Sequence, residues 1–251
     1  MKKIILSVIA AVITLNASAQ GFLHNVGVTA KVGLNVGGTA PLGLPAEIRH
    51  INSYKLQSNP VIGLDFEKPV SEDRRWGVIV GLHYENKGME EDARVKNYHM
   101  AIIRGGESLE GRYTGNERTE VNEWMLTVPV LATWHVSDKV RLRVGPYVSF
   151  LVKKEFEGEA HEGYLRVGDP TGQRVELGND ATSWGSYDFS EDMRNVQYGI
   201  SVGADWWAFH RIGFFGEVNW GINEIFRNNF NTISMDLYPI FGSIGVCYRI
   251  R

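Results

Sequence analysis

Apolar and polar residues alternate with period two along eight stretches of the chain, the pattern of strands that present one face to an apolar environment. In the first stretch Val26, Val28, Ala30, Val32, Leu34 and Val36 point one way, and Gly27, Thr29, Lys31, Gly33 and Asn35 the other. The next three lie at about 60–67, 76–87 and 122–136, and four more at about 140–152, 197–206, 212–222 and 238–250. In each the apolar face falls on even-numbered positions. The opposite face is rich in Gly, Ser, Thr and Asn, with a few charges. Helical periodicity and internal repeats are absent.

The connections alternate too. Pro69–Arg75, Ser137–Lys139 and His210–Arg211 are short, whereas 37–59, 88–121, 154–195 and 224–236 are longer and polar. Within 88–121, Met100-Ala101-Ile102-Ile103 is a candidate strand that would extend a hairpin. Short turns at one end and long loops at the other define an up-and-down transmembrane β-barrel. Period two does not say which face is outside, but the aromatics do. With the short turns at the bottom, the apolar face carries Phe66, Trp76, Trp134, Trp206, Phe214 and Tyr248 near the bottom. Near the top it carries Tyr84, Trp124, Phe150, Tyr198, Trp220 and Tyr238. Two aromatic belts around an aliphatic band match the headgroup levels of a bilayer. The expected fold is therefore all-β: an eight-stranded antiparallel transmembrane barrel with long extracellular loops and short periplasmic turns. A soluble barrel with aromatics at its strand ends is the competing reading.

The N-terminus agrees with export. Lys2 and Lys3 precede an apolar run from Ile4 to Leu15, and Ala17-Ser18-Ala19 forms a small-residue cleavage site before Gln20. Residues 1–19 read as a cleaved signal peptide, leaving 20–251 as one barrel domain in the outer membrane with both termini periplasmic. An uncleaved anchor is the alternative, but the run is short for a helical span. After it no apolar run is long enough for such a span. Basic and acidic residues nearly balance at 26 and 29, so nucleic acid is not an expected partner. The single Cys247 rules out an internal disulfide, and neither it nor the scattered histidines (His24, His50, His99, His135, His161, His210) has zinc-ligand spacing. No metal or cofactor is expected.

The inward face holds the candidate chemistry. Arg141, Arg143, Asp205 and Glu217 lie low on three neighbouring strands. They read as a charge-paired plug, since buried charges need partners and eight strands leave room only for side chains. A narrow ion path is the alternative. His83 and Glu85 lie inward with Ser149 and Ser201. A base beside a serine could hydrolyse a lipid ester, but inward means away from lipid, and nothing in the spacing sets a serine against the base. Loop 154–195 carries Glu155, Glu157, Glu159 and Glu162, then Tyr164, Trp184, Tyr187 and Phe189; it reads as a solvated loop or as a ligand surface.

Several motifs resemble one family. Val-Thr-Ala-Lys-Val-Gly-Leu-Asn-Val (28–36) is similar to the Gly-x-Lys-x-Gly-x-Asn opening of PorT-like outer-membrane β-barrel proteins, small barrels of OmpX/OmpA-like architecture. Val128-Pro129-Val130-Leu131, Val144-Gly145-Pro146-Tyr147-Val148 and Gly199-Ile200-Ser201-Val202-Gly203 resemble later strands of that family. The resemblance implies an eight-stranded outer-membrane barrel; some relatives act in type IX secretion or its assembly. The expected function is non-enzymatic: a structural, adhesion or partner-binding role through the extracellular loops. Membership of a secretion complex is the alternative, and envelope lipid modification a weaker third. Expected partners are outer-membrane lipid and either an extracellular ligand or secretion proteins, with the barrel itself a monomer.

Overall fold

The computed structural model describes residues 25–251 apart from Leu42, Leu44 and Ser234. The expected signal peptide lies outside the described residues. The strands are β1 (Gly27–Pro41), β2 (Ile48–Leu56), β3 (Asn59–Pro69), β4 (Trp76–Arg104), β5 (Glu107–Ser137), β6 (Val140–Val167), β7 (Arg174–Leu177), β8 (Gly185–Asp188), β9 (Val196–Trp206), β10 (Ile212–Gly221) and β11 (Leu237–Arg249). Eight of them close a ring in the order β1, β3, β4, β5, β6, β9, β10, β11, antiparallel throughout, with β11 returning to β1. Closure removes the free strand edges that an open sheet would expose. The eight-stranded barrel expected from the alternation is the fold.

The even-numbered positions face outward. Val32, Leu34, Ile62, Leu64, Val80, Leu82, Val130, Val144, Ile200, Val202, Val218 and Ile244 are each 38–63% exposed. Inward, Asn35, Asp65, Ser149 and Asp205 are at most 1% exposed. An apolar exterior over a polar interior is the inversion that a bilayer selects. Val26, assigned outward by parity, precedes β1 and is buried instead.

Short connections at 70–75, 138–139 and 207–211 close one end, here the turn end. The first is held by Ser71, whose hydroxyl donates to Asp73 Oδ1 at 2.6 Å and accepts from the Trp76 amide at 3.0 Å.

The opposite end departs from expectation. Segments 88–121 and much of 154–195 are not loops: β4, β5 and β6 continue through them, reaching 29, 31 and 28 residues. The physical reason is an inversion of the pattern. Above the upper belt the outward even positions become polar (Glu90, Asp92, Arg94 on β4; Arg112, Arg118, Glu120 on β5) and the inward ones apolar (Met89, Val95, Tyr113, Val121). The alternation persists with the sign of a water-soluble sheet. Gly105 and Gly106, at φ +59° and +85°, make the two-residue turn of the β4–β5 hairpin. A bulge between Leu151 and Lys153 shifts the parity of β6, so that Phe156 points inward.

These extensions, β2, β7, β8 and the segment before β11 enclose a second hydrophobic core, here the head. It is built on Met89, Tyr98, Met100, Tyr113, Phe156, Leu165, Tyr187, Phe189, Phe226 and their neighbours. Phe226 meets Phe156 edge-on at 4.9 Å between ring centroids and Phe230 at 4.4 Å. Tyr187 stacks on Phe189 at 5.3 Å.

Candidate functional site

Two regions concentrate chemistry: the lumen and the head. In the lower lumen, register does the assembling. Arg141 and Asp205 are direct cross-strand partners on β6 and β9. Arg141 donates from Nε to Asp205 Oδ2 at 2.7 Å, with Nη2 at 2.6 Å from the same oxygen. Gly203 stands between Arg143 and Glu217. A Cβ there would lie 2.7 Å from the Glu217 Cβ, so only glycine lets Arg143 reach across β9. Arg143 Nη1 then donates to Glu217 Oε2 at 2.9 Å, while its Nη2 lies 3.1 Å from Asp205 Oδ1. The four residues singled out from the sequence thus meet inside the barrel.

The cluster is larger than those four. Glu67 accepts from Arg141, from His135 Nε2 at 2.8 Å and from Thr133 Oγ1 at 2.8 Å. Lys31 lies 2.6 Å from Asp65, whose other oxygen is 2.8 Å from His83 Nε2. Trp207 sits under Arg249, whose guanidinium is 4.1 Å from the ring centroid. Sequence reasoning placed Lys31, Asp65 and His83 on the inward face without pairing them. The pairing depends on the stagger between β1, β3 and β4, which parity alone does not give.

Higher in the lumen Glu85 accepts from Asn35 Nδ2 at 3.0 Å and Thr127 Oγ1 at 2.6 Å, and Thr127 also bonds Ser149 at 2.8 Å. Lys87 lies 3.3 Å from Glu85 and over the rings of Tyr147 and Phe241. Arg141, Arg143, Lys87 and Phe241 are among the largest side chains sealed from solvent, whereas a wet pore would leave such groups hydrated. His83 contacts Asp65, and among the described residues no hydrogen bond joins it to Ser149 or Ser201. At the turn end the lumen opens into a polar vestibule of about 600 Å³ lined by Glu67, Arg74, Arg75, His135, Asp138 and Arg249.

On the outer wall the lower-belt pairs Trp76–Trp134 and Trp206–Phe214 each stack at 5.9 Å. Phe66 and Tyr248 lie outward at the same end. At the upper belt Tyr84 stacks on Trp124 at 5.1 Å, and Phe150, Tyr198 and Trp220 are exposed; Tyr238 is half-buried.

The head contains an apolar cavity of about 110 Å³ between the β4–β5 hairpin, β2, β6 and the segment before β11. Met89, Tyr98, Met100, Phe156, Tyr187 and Phe189 line it together with two carboxyls, Glu91 and Glu117. Burial, with Glu91 and Asp92 nearby, pushes the Glu117 carboxyl up to about 8; burial also raises Glu91. Sequence reasoning missed this pair. Its signal was positional: both sit at odd-numbered, inward positions of segments read as loop. Tyr187 and Phe189, read there as loop aromatics, belong to the head core, and Tyr164 stacks beneath Arg174 at 4.1 Å. Among the described residues no group of three or more His, Cys, Asp or Glu side chains is placed to hold a metal.

Among solved structures the chain is similar to Neisserial surface protein A (10% identity, 90% of this chain and 97% of that one covered, TM-score 0.41). It is also similar to the attachment invasion locus protein Ail of Yersinia pestis (10% identity, 90% and 97% covered, TM-score 0.36). A third is the outer membrane protein OprG of Pseudomonas aeruginosa (10% identity, 90% and 96% covered, TM-score 0.32). No curated protein sequence matches the chain. The family model described as "Outer membrane protein beta-barrel domain" matches residues 16–227. That span takes in every strand from β1 to β10, and the chain belongs to the outer membrane protein β-barrel domain family.

Proposed function

We propose that this protein is a non-enzymatic outer-membrane barrel whose work is done by its head, in adhesion, envelope structure or the capture of a partner. In this reading residues 1–19 are a cleaved signal peptide of a Gram-negative envelope protein. The turn end and both termini lie in the periplasm, the head stands outside the cell, and the barrel is a monomer. The observation that carries the proposal is the contrast between the two ends. The lumen is filled by ion-paired side chains, whereas three strands run on beyond the lipid band into a packed, polar-surfaced head. Binding residues concentrate on such projections from rigid scaffolds. Protease applied to intact cells should cut within 168–183 and leave a protected barrel fragment; full protection of the head would overturn the orientation. In planar bilayers the protein should give no steady conductance, and reproducible channel steps would contradict the plug.

A second reading, membership of a type IX secretion or assembly complex, is favoured by the motif resemblance at 28–36, 128–131, 144–148 and 199–203. It requires stable co-purification with secretion proteins after cross-linking, and their absence would sink it. Lipid modification draws less support, because His83 is bonded to Asp65 deep in the lumen. Alanine at His83 is expected to leave the lipid A species unchanged by mass spectrometry.

A further inference from the structure

Two sets of carboxylates in this protein stand in contrast. In the lumen Asp65, Glu67, Asp205 and Glu217 each lie against a cation. In the head Glu91 and Glu117 line an apolar cavity to which no Lys, Arg or His contributes. Among the described residues neither carboxyl has a hydrogen bond or ion pair, although Glu117 is only 8% exposed. Glu91 pairs with Thr119 across the hairpin, and Glu117 with Ala93. The two are therefore diagonal neighbours on one face, roughly 7–8 Å apart at their Cα atoms. A buried carboxyl with no counter-charge, set beside a second that is half-buried, is costly to ionise. A proton relieves the cost, which is why the Glu117 carboxyl is pushed up to about 8.

The groups around the pair add negative charge or neutral surface. Asp92 is the next acid, and His161 lies 3.4 Å from it on β6. Tyr54 of β2 donates its hydroxyl to the Gly37 carbonyl, and Tyr98 and Tyr187 stay neutral through burial. Arg118 is engaged outside by Glu90 and Glu159. The walls are methionine sulfurs, aliphatic chains and aromatic rings. Ring faces attract cations, and weakly hydrated methylated ammonium groups are the ones such surroundings suit. A strongly hydrated metal ion would need more oxygen ligands. On size, an apolar cavity of about 150 Å³ holds benzene, so about 110 Å³ accommodates a compact trimethylammonium-sized group.

We propose that the head cavity binds a small alkylated ammonium ion, its charge set against Glu91 and Glu117 and its methyl groups against Tyr98, Phe156, Tyr187 and Phe189. The proposal rests on the reading of the head as the working part and names its ligand class. On binding, the ammonium replaces the proton held by the carboxyl pair.

The test uses the full mature chain in lipid nanodiscs with methyl-labelled methionine. Met89, Met100 and Met235 line the cavity, whereas Met125 is buried below it in the barrel. Choline is the probe, and 3,3-dimethyl-1-butanol, of the same shape without the charge, is its control. Choline should shift the three head methyls and leave Met125 still, binding about tenfold or more tightly than the alcohol. Glu117→Gln should remove that advantage while the protein keeps its heat-modifiable mobility. Glu91→Gln serves as the second variant should the first fail to fold. Equal binding of choline and alcohol, or no shift at Met89, Met100 and Met235, overturns the proposal. Phosphocholine tells the sources apart: weaker binding than choline assigns the site to a free ammonium, and equal or tighter binding to a lipid headgroup. Lack of ammonium binding in a head that protease reaches on intact cells defeats this inference alone. A head that protease does not reach defeats the reading beneath it.

Discussion

Asp205 is the residue on which the lower lumen turns. It is fully buried and serves Arg141 through two nitrogens and Arg143 through a third. Asp205→Asn keeps the shape and removes the charge, leaving two sealed guanidiniums with Glu67 and Glu217 alone. Removing one partner of a buried ion pair costs about 3–5 kcal/mol. Each arginine retains one other carboxylate, so the expected loss is near the lower end, about 3 kcal/mol. With a urea slope of about 2 kcal/mol per molar, that moves the unfolding midpoint down by about 1.5 M. The assay is urea unfolding in lipid vesicles followed by tryptophan fluorescence, with Asp138→Asn, an exposed turn position, as control. The cycle closes with Arg141→Gln alone and combined with Asp205→Asn. Residues sharing one network should show a coupling of about 0.5–3 kcal/mol. A midpoint that shifts no more than the control's, or a coupling of zero, would refute the view that the lumen is held by paired charge rather than merely filled by it.

Three further outcomes follow from the same geometry. Val144→Arg, on the outward aliphatic band, should lose about 2–4 kcal/mol on folding into vesicles, whereas Ser108→Arg, exposed on the head hairpin, should change stability by less than about 0.5 kcal/mol; equal effects would place the lipid band elsewhere. Phe226→Ala removes the ring that contacts Phe156 and Phe230 and should cost the head about 3–5 kcal/mol, seen as faster proteolysis around 168–183 while the barrel keeps its heat-modifiable mobility. The Glu117 carboxyl is raised from 4.5 to about 8. Folding therefore favours its protonated form, and head stability is fully present below about pH 4.5 and declines as the pH rises toward 8. The loss is on the order of 4–5 kcal/mol, and Glu117→Gln should flatten the profile of the urea midpoint between about pH 5 and pH 9.

The barrel was legible in the sequence because a bilayer enforces a simple rule. Each lipid-facing position must be apolar, so one parity class marks the outer wall from Val28 to Ile250. The aromatic positions at the two interfaces were legible for the same reason. Arg141, Arg143, Asp205 and Glu217 could be placed together because long charged side chains inside eight strands must meet. Of the head only the hairpin strand at Met100–Ile103 was legible, and it lies in β4 as expected. Above the upper belt the apolar residues move to the opposite parity, and bulges after Val95 and between Leu151 and Lys153 shift the register again. Glu90-Glu91-Asp92 reads as a solvated loop in one dimension. In the fold Glu91 points into the head cavity while Glu90 pairs with Lys55 and Arg118 outside.

The same inversion bears on how the two parts depend on each other. β4 and β5 cross from the barrel into the head in one register, from Trp76–Trp134 to Val95–Gly115, while β6 follows β5 across with a bulge between Leu151 and Lys153, so the barrel's stagger sets where the inward positions of the β4–β5 hairpin fall. Glu91 and Glu117 face one cavity because the register that pairs Tyr84 with Leu126 at the upper belt also pairs Glu91 with Thr119 farther along the same ladder. A one-residue slip in that hairpin would turn a strand's inward set outward, exposing Met89 and Tyr98 and sending Glu90 inward in place of Glu91. The sealed lumen thus holds the register on which the cavity depends. A substitution that loosens Arg141 and Asp205 should weaken choline binding only insofar as it lets the barrel unfold, and one at Glu117 should remove choline's advantage over the uncharged alcohol without loosening the barrel.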